Sequence, residues 1–208
     1  MSATVGQMVA DLELRFTASK PSDDFEGSDE QFRYWLDNAN GALLPDWIRK
    51  VNGGIVPAII IRRFPCLCVT VQTPECVGGC CSYTYVQLPV NPITLIGEMG
   101  VIEITRGVQQ IYRLPSPTML SVMSGLKGGA TTPYFYRIAD KLFLFNGIYP
   151  SYSKITVLGA FADSSTLSEN DLYPTVEELI PQILDEAEKI GRRQFQVKQD
   201  LQDDGIAK

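Results

Sequence analysis

Histidine is absent from all 208 residues. That removes the commonest general base and metal ligand together, so Ser-His and Cys-His nucleophile pairs and histidine-containing zinc sites are excluded. No apolar run approaches the ~20 residues that span a bilayer. The N-terminal Met1-Ser2-Ala3-Thr4-Val5 lacks the basic start and apolar stretch of a signal peptide, so synthesis in a cytoplasm and no membrane partner are expected. Gly53-Gly54, Gly78-Gly79 and Gly128-Gly129 are not followed by Gly-Lys-Ser/Thr or set in a Gly-x-Gly-x-x-Gly frame, so no nucleotide fingerprint is present.

What is present is an uneven charge distribution. The net charge is −6. Residues 1–50 carry −4 and residues 163–208 carry −6, while residues 51–162 carry +4. An acidic front and back bracket a mildly basic middle, which suits packing within the chain or between copies. Net acidity argues against sequence-specific duplex binding, which depends on neutralising phosphates.

The front reads as two helices. After Thr4 as N-cap, Val5, Met8, Val9, Leu12 and Phe16 recur at helical spacing. Pro21 ends that pattern, and Ser28 with Gln31 forms a capping box for a second helix carrying Phe32, Trp35, Leu36, Ala39 and Leu43. Similar stripes are expected to pack on each other and on a third element. Trp35 and Trp47 read as core or interface anchors.

Beyond Val51-Asn52-Gly53-Gly54 the pattern becomes strand-like. Ile55–Ile61, interrupted by Pro57, reads as an edge or bulged strand. Cys66–Gln72 and Ser82–Leu88 follow, then Val101–Thr105 and Val108–Leu114 around an Arg106-Gly107 turn. Pro117–Leu126 suits a short helix. Tyr134–Ile138 and Leu142–Phe145 flank the turn Ala139-Asp140-Lys141, and Ile155–Phe161 is expected beside them as the centre of the β core. Seven to nine short strands fit an antiparallel β-sandwich or open barrel.

The last helix is expected from a Thr175–Glu178 capping box, with Leu179, Ile183, Leu184, Ala187 and Ile190 as its stripe and Pro181 tolerated only near the start. From Arg192 the stripe fades into an extended tail. The fold class expected is therefore α+β: a small helical bundle of residues 1–54 and 163–191, an inserted β domain of 55–162, and a tail of 192–208.

No constellation points to an enzyme. Cys66-x-Cys68 is too tight for a metal knuckle, although Cys76-x₃-Cys80 fits one, and Cys81 adjoins it; free, mostly buried thiols are the expectation, with no cofactor or metal. The pairs Asp23-Asp24, Glu177-Glu178 and Asp203-Asp204 sit at helix starts or in polar segments, where capping and solvation are their ordinary roles. The aromatics Tyr134, Phe135, Tyr136, Phe143 and Phe145, interleaved with Arg137 and Lys141, allow an alternative reading: a β-domain module binding carbohydrate or single-stranded nucleic acid, with about half of them expected to point inward.

Several segments, taken in order, resemble a family of virion proteins. They are Phe32-x-x-Trp35-Leu36-Asp37-Asn38-Ala39-Asn40, Pro65-Cys66-Leu67-Cys68, Leu88-Pro89, Asp140-Lys141-Leu142-Phe143-Leu144, Val157–Asp163 and Tyr173-Pro174-Thr175. Together they resemble the head–tail connector (adaptor) ring proteins of short-tailed phages, most of all the ring proteins of crAss-like phages of Bacteroidetes. The resemblance implies a structural subunit of the virion head–tail junction, assembled in the host cytoplasm. It implies a homo-oligomeric ring, commonly of twelve copies, beneath the portal protein and touching further tail or ring proteins. The ring encloses DNA without reading its sequence. By the same resemblance Val5, Met8, Leu12, Phe16, Phe32, Trp35, Leu36, Leu43, Leu179, Ile183, Leu184 and Ile190 belong to ring-packing helices. Arg192, Arg193, Phe195, Val197, Leu201 and Ile206 belong to a portal-docking tail.

Overall fold

The computed structural model describes residues 2–19, 27–72, 83–93, 100–114, 116, 119, 132–146 and 153–206, with backbone alone for 18, 19, 83 and 195–206. The chain is α+β and divides into two compact units. Residues 1–60 with 162–208 form a helical unit, and residues 61–161 form a β unit. The chain enters and leaves the second between the two parts of the first.

Helix α1 spans Val5–Ser19 and α2 spans Asp29–Lys50. Thr4 and Gln7 cap α1 reciprocally: the Thr4 N–H donates to Gln7 Oε1 at 2.9 Å, and the Gln7 N–H donates to Thr4 Oγ1 at 3.2 Å. Ser28 and Gln31 form the same box at α2. Both caps satisfy donors that a helix start leaves unpaired. Val5, Met8, Val9, Leu12 and Phe16 are all buried, as their spacing predicts.

Helix α2 buries Phe32, Trp35, Leu36, Ala39, Asn40, Leu44 and Ile48. The stripe therefore passes through Leu44, and Leu43 is only half-buried. Pro45 lies inside the helix without ending it. Helix α3 runs Ile180–Ile206, preceded by a 3₁₀ turn at Glu177–Leu179. The Thr175 capping box does not form: Val176 is the N-cap and makes no side-chain bond, so Pro181 falls in the first turn, where a missing N–H costs nothing. The expected tail is also helical. The helix does not give way at Arg192 but continues to Ile206. Gln, Lys and Arg are good helix formers, so a fading apolar stripe marks the loss of a packing face, not of the helix.

The β unit is a closed seven-stranded barrel in the order β1-β2-β6-β5-β4-β3-β7. The strands are β1 Ile61–Gln72, β2 Tyr83–Gln87, β3 Val101–Arg106, β4 Gln109–Arg113, β5 Tyr134–Ile138, β6 Lys141–Phe145 and β7 Lys154–Ala160. Every neighbouring pair is antiparallel except β4 and β5, which run parallel through Tyr112 with Tyr134 and Arg113 with Phe135. The β5–β6 hairpin is as expected, but β7 is not its neighbour. It lies between β1 and β3. A closed barrel has no central strand, so no hairpin holds that position.

Two bulges shape the wall. One lies between Phe64 and Leu67 of β1, opposite β7, and places Pro65, which has no N–H to give a ladder, where none is needed. Its Cys66 has φ 61, the left-handed region. The other lies between Val101 and Glu103, leaving Ile102 49% exposed. The stretch before β1 is not a strand: Ala58–Ile60 forms a 3₁₀ turn after Pro57. The β3–β4 turn is Gly107-Val108, with Gly107 at φ 60, one residue later than its sequence suggests. Inside the barrel Val69, Val86, Leu88, Ile104, Ile111, Phe135, Leu142, Leu144, Ile155 and Val157 pack together. Pro117–Leu126 lies outside the described residues, apart from Met119.

Candidate functional site

The helical unit is organised around α2. Phe16, Phe32 and Trp35 form a ring cluster with centroids 5.4–5.9 Å apart, geometry that adds to plain burial. Gly191 of α3 closes it: a Cβ there would lie 2.5 Å from Phe16 Cζ and 2.8 Å from the Trp35 ring. The Trp35 indole N–H donates to Gln194 Oε1 at 2.7 Å. Trp47, half-buried, donates to Glu178 Oε2 at 3.2 Å. The residues expected to pack a ring are thus spent inside the chain. Val5, Met8, Leu12, Phe16, Phe32, Trp35, Leu36, Leu179, Ile183 and Leu184 are buried in their own unit, with Leu43 and Ile190 at its margin.

One polar network was not legible as a site. Asp37 accepts from the Ser164 N–H and Oγ, both at 3.0 Å, and from the Tyr173 hydroxyl at 3.0 Å. Asn40, fully buried, donates to the carbonyls of Ala162 at 3.0 Å and Pro174 at 3.1 Å. Arg33 donates to the Leu167 carbonyl at 3.3 Å. Together these tie the segment returning from the barrel onto α2. Burial pushes the Asp37 carboxyl up to about 6, despite the donors from Ser164 and Tyr173, and the nearby Asp163 adds to the rise. Burial and the Asp37 charge push the Tyr173 hydroxyl well above its usual range. Its oxygens engaged in this way, Asp37 clamps the returning segment to α2.

The N-terminus of α1 is fixed by the same segment. The Val5 N–H donates to the Asp171 carbonyl and the Gly6 N–H to the Glu169 carbonyl, each at 2.9 Å. Beside these bonds lies an open socket of about 160 Å³. Gly6, Val9 and Ala10 line it together with the acids Glu13, Asp29 and Glu169. Arg33 borders it, 3.8 Å from Glu169.

At α3, Arg192 donates twice to Glu188, at 2.7 and 2.9 Å, and stands 5.4 Å from the centre of the Phe16 ring. It anchors the helix to its own unit. Arg193 is exposed, and Phe195, Val197, Leu201 and Ile206 lie on the helical backbone beyond it.

On the barrel, Tyr85, Phe143 and Tyr136 align across β2, β6 and β5 by register. The Tyr85 and Phe143 rings are 6.1 Å apart, with Lys141 4.9 Å from the Tyr85 ring centre. All are half-buried. Arg137 donates to the carbonyls of Ala139 at 2.7 Å and Pro92 at 3.0 Å, so the cation expected to meet a strand of nucleic acid holds a loop instead. A groove of about 300 Å³ runs over Arg63, Glu103, Thr105, Gly107, Thr156 and Leu158. Cys66 and Cys68 are exposed, not buried: Cys66 lies in the bulge, and Cys68 alternates with the inward-facing Val69. Cys76, Cys80 and Cys81 lie outside the described residues. Among the described residues no group of three or more His, Cys, Asp or Glu is placed to hold a metal ion, and no helix is long and apolar enough to cross a membrane.

No protein-family model matches the chain, and no curated protein matches it.

Proposed function

We propose that the protein is a structural virion subunit, a head–tail connector that forms a homo-oligomeric ring beneath a phage portal, around the DNA channel. The observation that carries this reading is that three of the six segments on which the resemblance rests meet in the helical unit. Asp37 and Asn40, from the Phe32–Asn40 segment, bond to Ala162, Ser164, Tyr173 and Pro174, which lie 122 to 136 positions away. Three of the likenesses thus belong to one physical clamp, and the other three lie in the barrel. The charge distribution agrees. The helical unit carries −10 and the barrel +4. A wall of net negative charge lets DNA pass without adhering. In this reading the C-terminal part of α3, from Arg193 to Ile206, docks on the portal, and the barrel faces other tail components.

Native mass measurement of the purified protein, alone and with the portal of the same phage, tests the proposal. The expected result is a ring-sized species whose assembly the portal promotes. A chain truncated after Gln194, which keeps the partner of the Trp35 indole, should lose portal binding and keep its fold. A strict monomer that ignores the portal would sink the reading.

A further inference from the structure

Three asparagines are followed by glycine: Asn40-Gly41, Asn52-Gly53 and Asn146-Gly147. A glycine in that place puts no Cβ beside its own backbone nitrogen, so the asparagine side-chain carbon comes within reach of it. What else holds the two residues decides whether they react. Asn40 is fully buried inside α2, and its Nδ2 donates to the Ala162 and Pro174 carbonyls at 3.0 and 3.1 Å. The Gly41 nitrogen belongs to the hydrogen-bond ladder of the same helix. Gly147 lies outside the described residues. Asn52-Gly53 sits in the turn that follows α2, with Gly53 exposed and Asn52 half-buried. The N–H groups of Val51, Asn52, Gly54 and Ile55 all donate to backbone carbonyls there, whereas among the described residues the Gly53 N–H meets no acceptor. Nothing lies within 4 Å of where a Gly53 Cβ would stand. The Asn52 Nδ2 donates to the carbonyl of the exposed Ile55 at 2.6 Å, a bond within a surface turn that opens without disturbing the core.

We propose that Asn52 is a modification site, where the side chain closes a succinimide ring on the Gly53 nitrogen and is converted to aspartate and isoaspartate. The Gly53 nitrogen gives its proton to hydroxide and attacks Asn52 Cγ. The bond that forms is N–Cγ and the bond that breaks is Cγ–Nδ2, the side-chain nitrogen leaving as ammonia after taking a proton from water. Water then opens the ring. Attack at the side-chain carbonyl gives aspartate, and attack at the backbone carbonyl gives isoaspartate. The net change takes an amide and water to a carboxylate and ammonium, with no oxidant or reductant. The product loses the donor to Ile55 and sets a negative charge beside the C-terminus of α2, where the helix dipole disfavours it. This site is independent of the ring assembly.

The experiment incubates the full folded chain at mildly alkaline pH over days and maps its peptides by mass spectrometry, with isoaspartate read by enzymatic methyl transfer. Conversion at Asn52 should run roughly tenfold or more faster than at Asn40, which reacts only in the small fraction of molecules whose helix has opened. In denaturant the two rates should draw together, since the same Asn-Gly pair is then exposed at both places. An Asn52→Asp chain, which carries the aspartate product from the start, should melt lower by fluorescence than the unchanged chain. A folded chain in which Asn52 stays intact, or converts no faster than Asn40, overturns the proposal. A rate ratio that persists in denaturant also overturns it, because the selectivity then lies in the local sequence and not in the turn. Equal melting of the Asn52→Asp and unchanged chains overturns the stated consequence for α2.

Discussion

In the helical unit, three aromatic rings, a buried asparagine and a clamped aspartate hold elements together across more than a hundred positions of chain. In the barrel, an interior almost wholly of Val, Leu and Ile, with Phe135, fills a wall closed by backbone ladders. The first unit depends on a few specific side-chain partners, the second on distributed packing and on two bulges that bend its strands. Polar specificity and aliphatic bulk are thus separated into two compact units. Both tryptophans fall in the first, so indole fluorescence reports on the helical unit alone.

The sharpest way to break that comparison is to empty each core. Phe32→Ala should cost the helical unit about 3–5 kcal/mol, and Ile104→Ala should cost the barrel about 2–5 kcal/mol. Thermal melts followed by fluorescence and by far-ultraviolet dichroism check this. Phe32→Ala should move the fluorescence transition, and Ile104→Ala should leave it in place. A common shift in both signals would show one cooperative unit instead of two.

A smaller effect sharpens the contrast by overfilling. Gly191→Val forces a branched side chain against Phe16 and Trp35 and should destabilise the helical unit by about 1–3 kcal/mol. Denaturant midpoints by fluorescence measure it.

Proton linkage at the clamp is weaker and has a definite sign. The folded Asp37 carboxyl titrates at about 6, above the value near 3.9 of an unfolded aspartate. The stability it contributes is therefore fully present below about 4 and is lost as the pH rises through about 6. Because the chain has no histidine, no imidazole titrates in that interval. The fluorescence melting temperature should fall from about pH 4.5 to 7, and Asp37→Asn should flatten the trend.

The smallest effect is at a helix cap. Ser28→Ala removes an acceptor for the Gln31 N–H and should cost about 1 kcal/mol, read from the same melts.

The two units also differ in how far their sequences disclose them. Val5–Phe16 and Phe32–Ala39 declare their helices through local period and reciprocal caps, and the structure keeps both. The step from Leu43 to Leu44 is less visible, because adjacent leucines satisfy a 3.6-residue period almost equally over a long helix. Strand positions in the barrel are legible from β-branched and aromatic runs, but partners are not. That β7 pairs with β1 and β3, and not with the β5–β6 hairpin, follows from closure, which no local window contains. The clamp was hidden for a different reason. Asp37 and Asn40 look like solvated positions until Ser164, Tyr173 and Pro174 are brought against them. The socket escaped notice because Gly6, Val9 and Ala10 look like ordinary helix residues, and nothing in their spacing signals an opening.

The first strand of the barrel pairs with its last: Ile61 lies opposite Ala160. Adjacent strands are about 4.8 Å apart, so the chain enters and leaves this unit through one narrow gate. A short turn of two or three residues is enough to join Ile60 to Ala162 in its absence, and the same gate accepts any other insert whose ends meet. The barrel can therefore be excised at a single junction, without touching any residue of the clamp around Asp37.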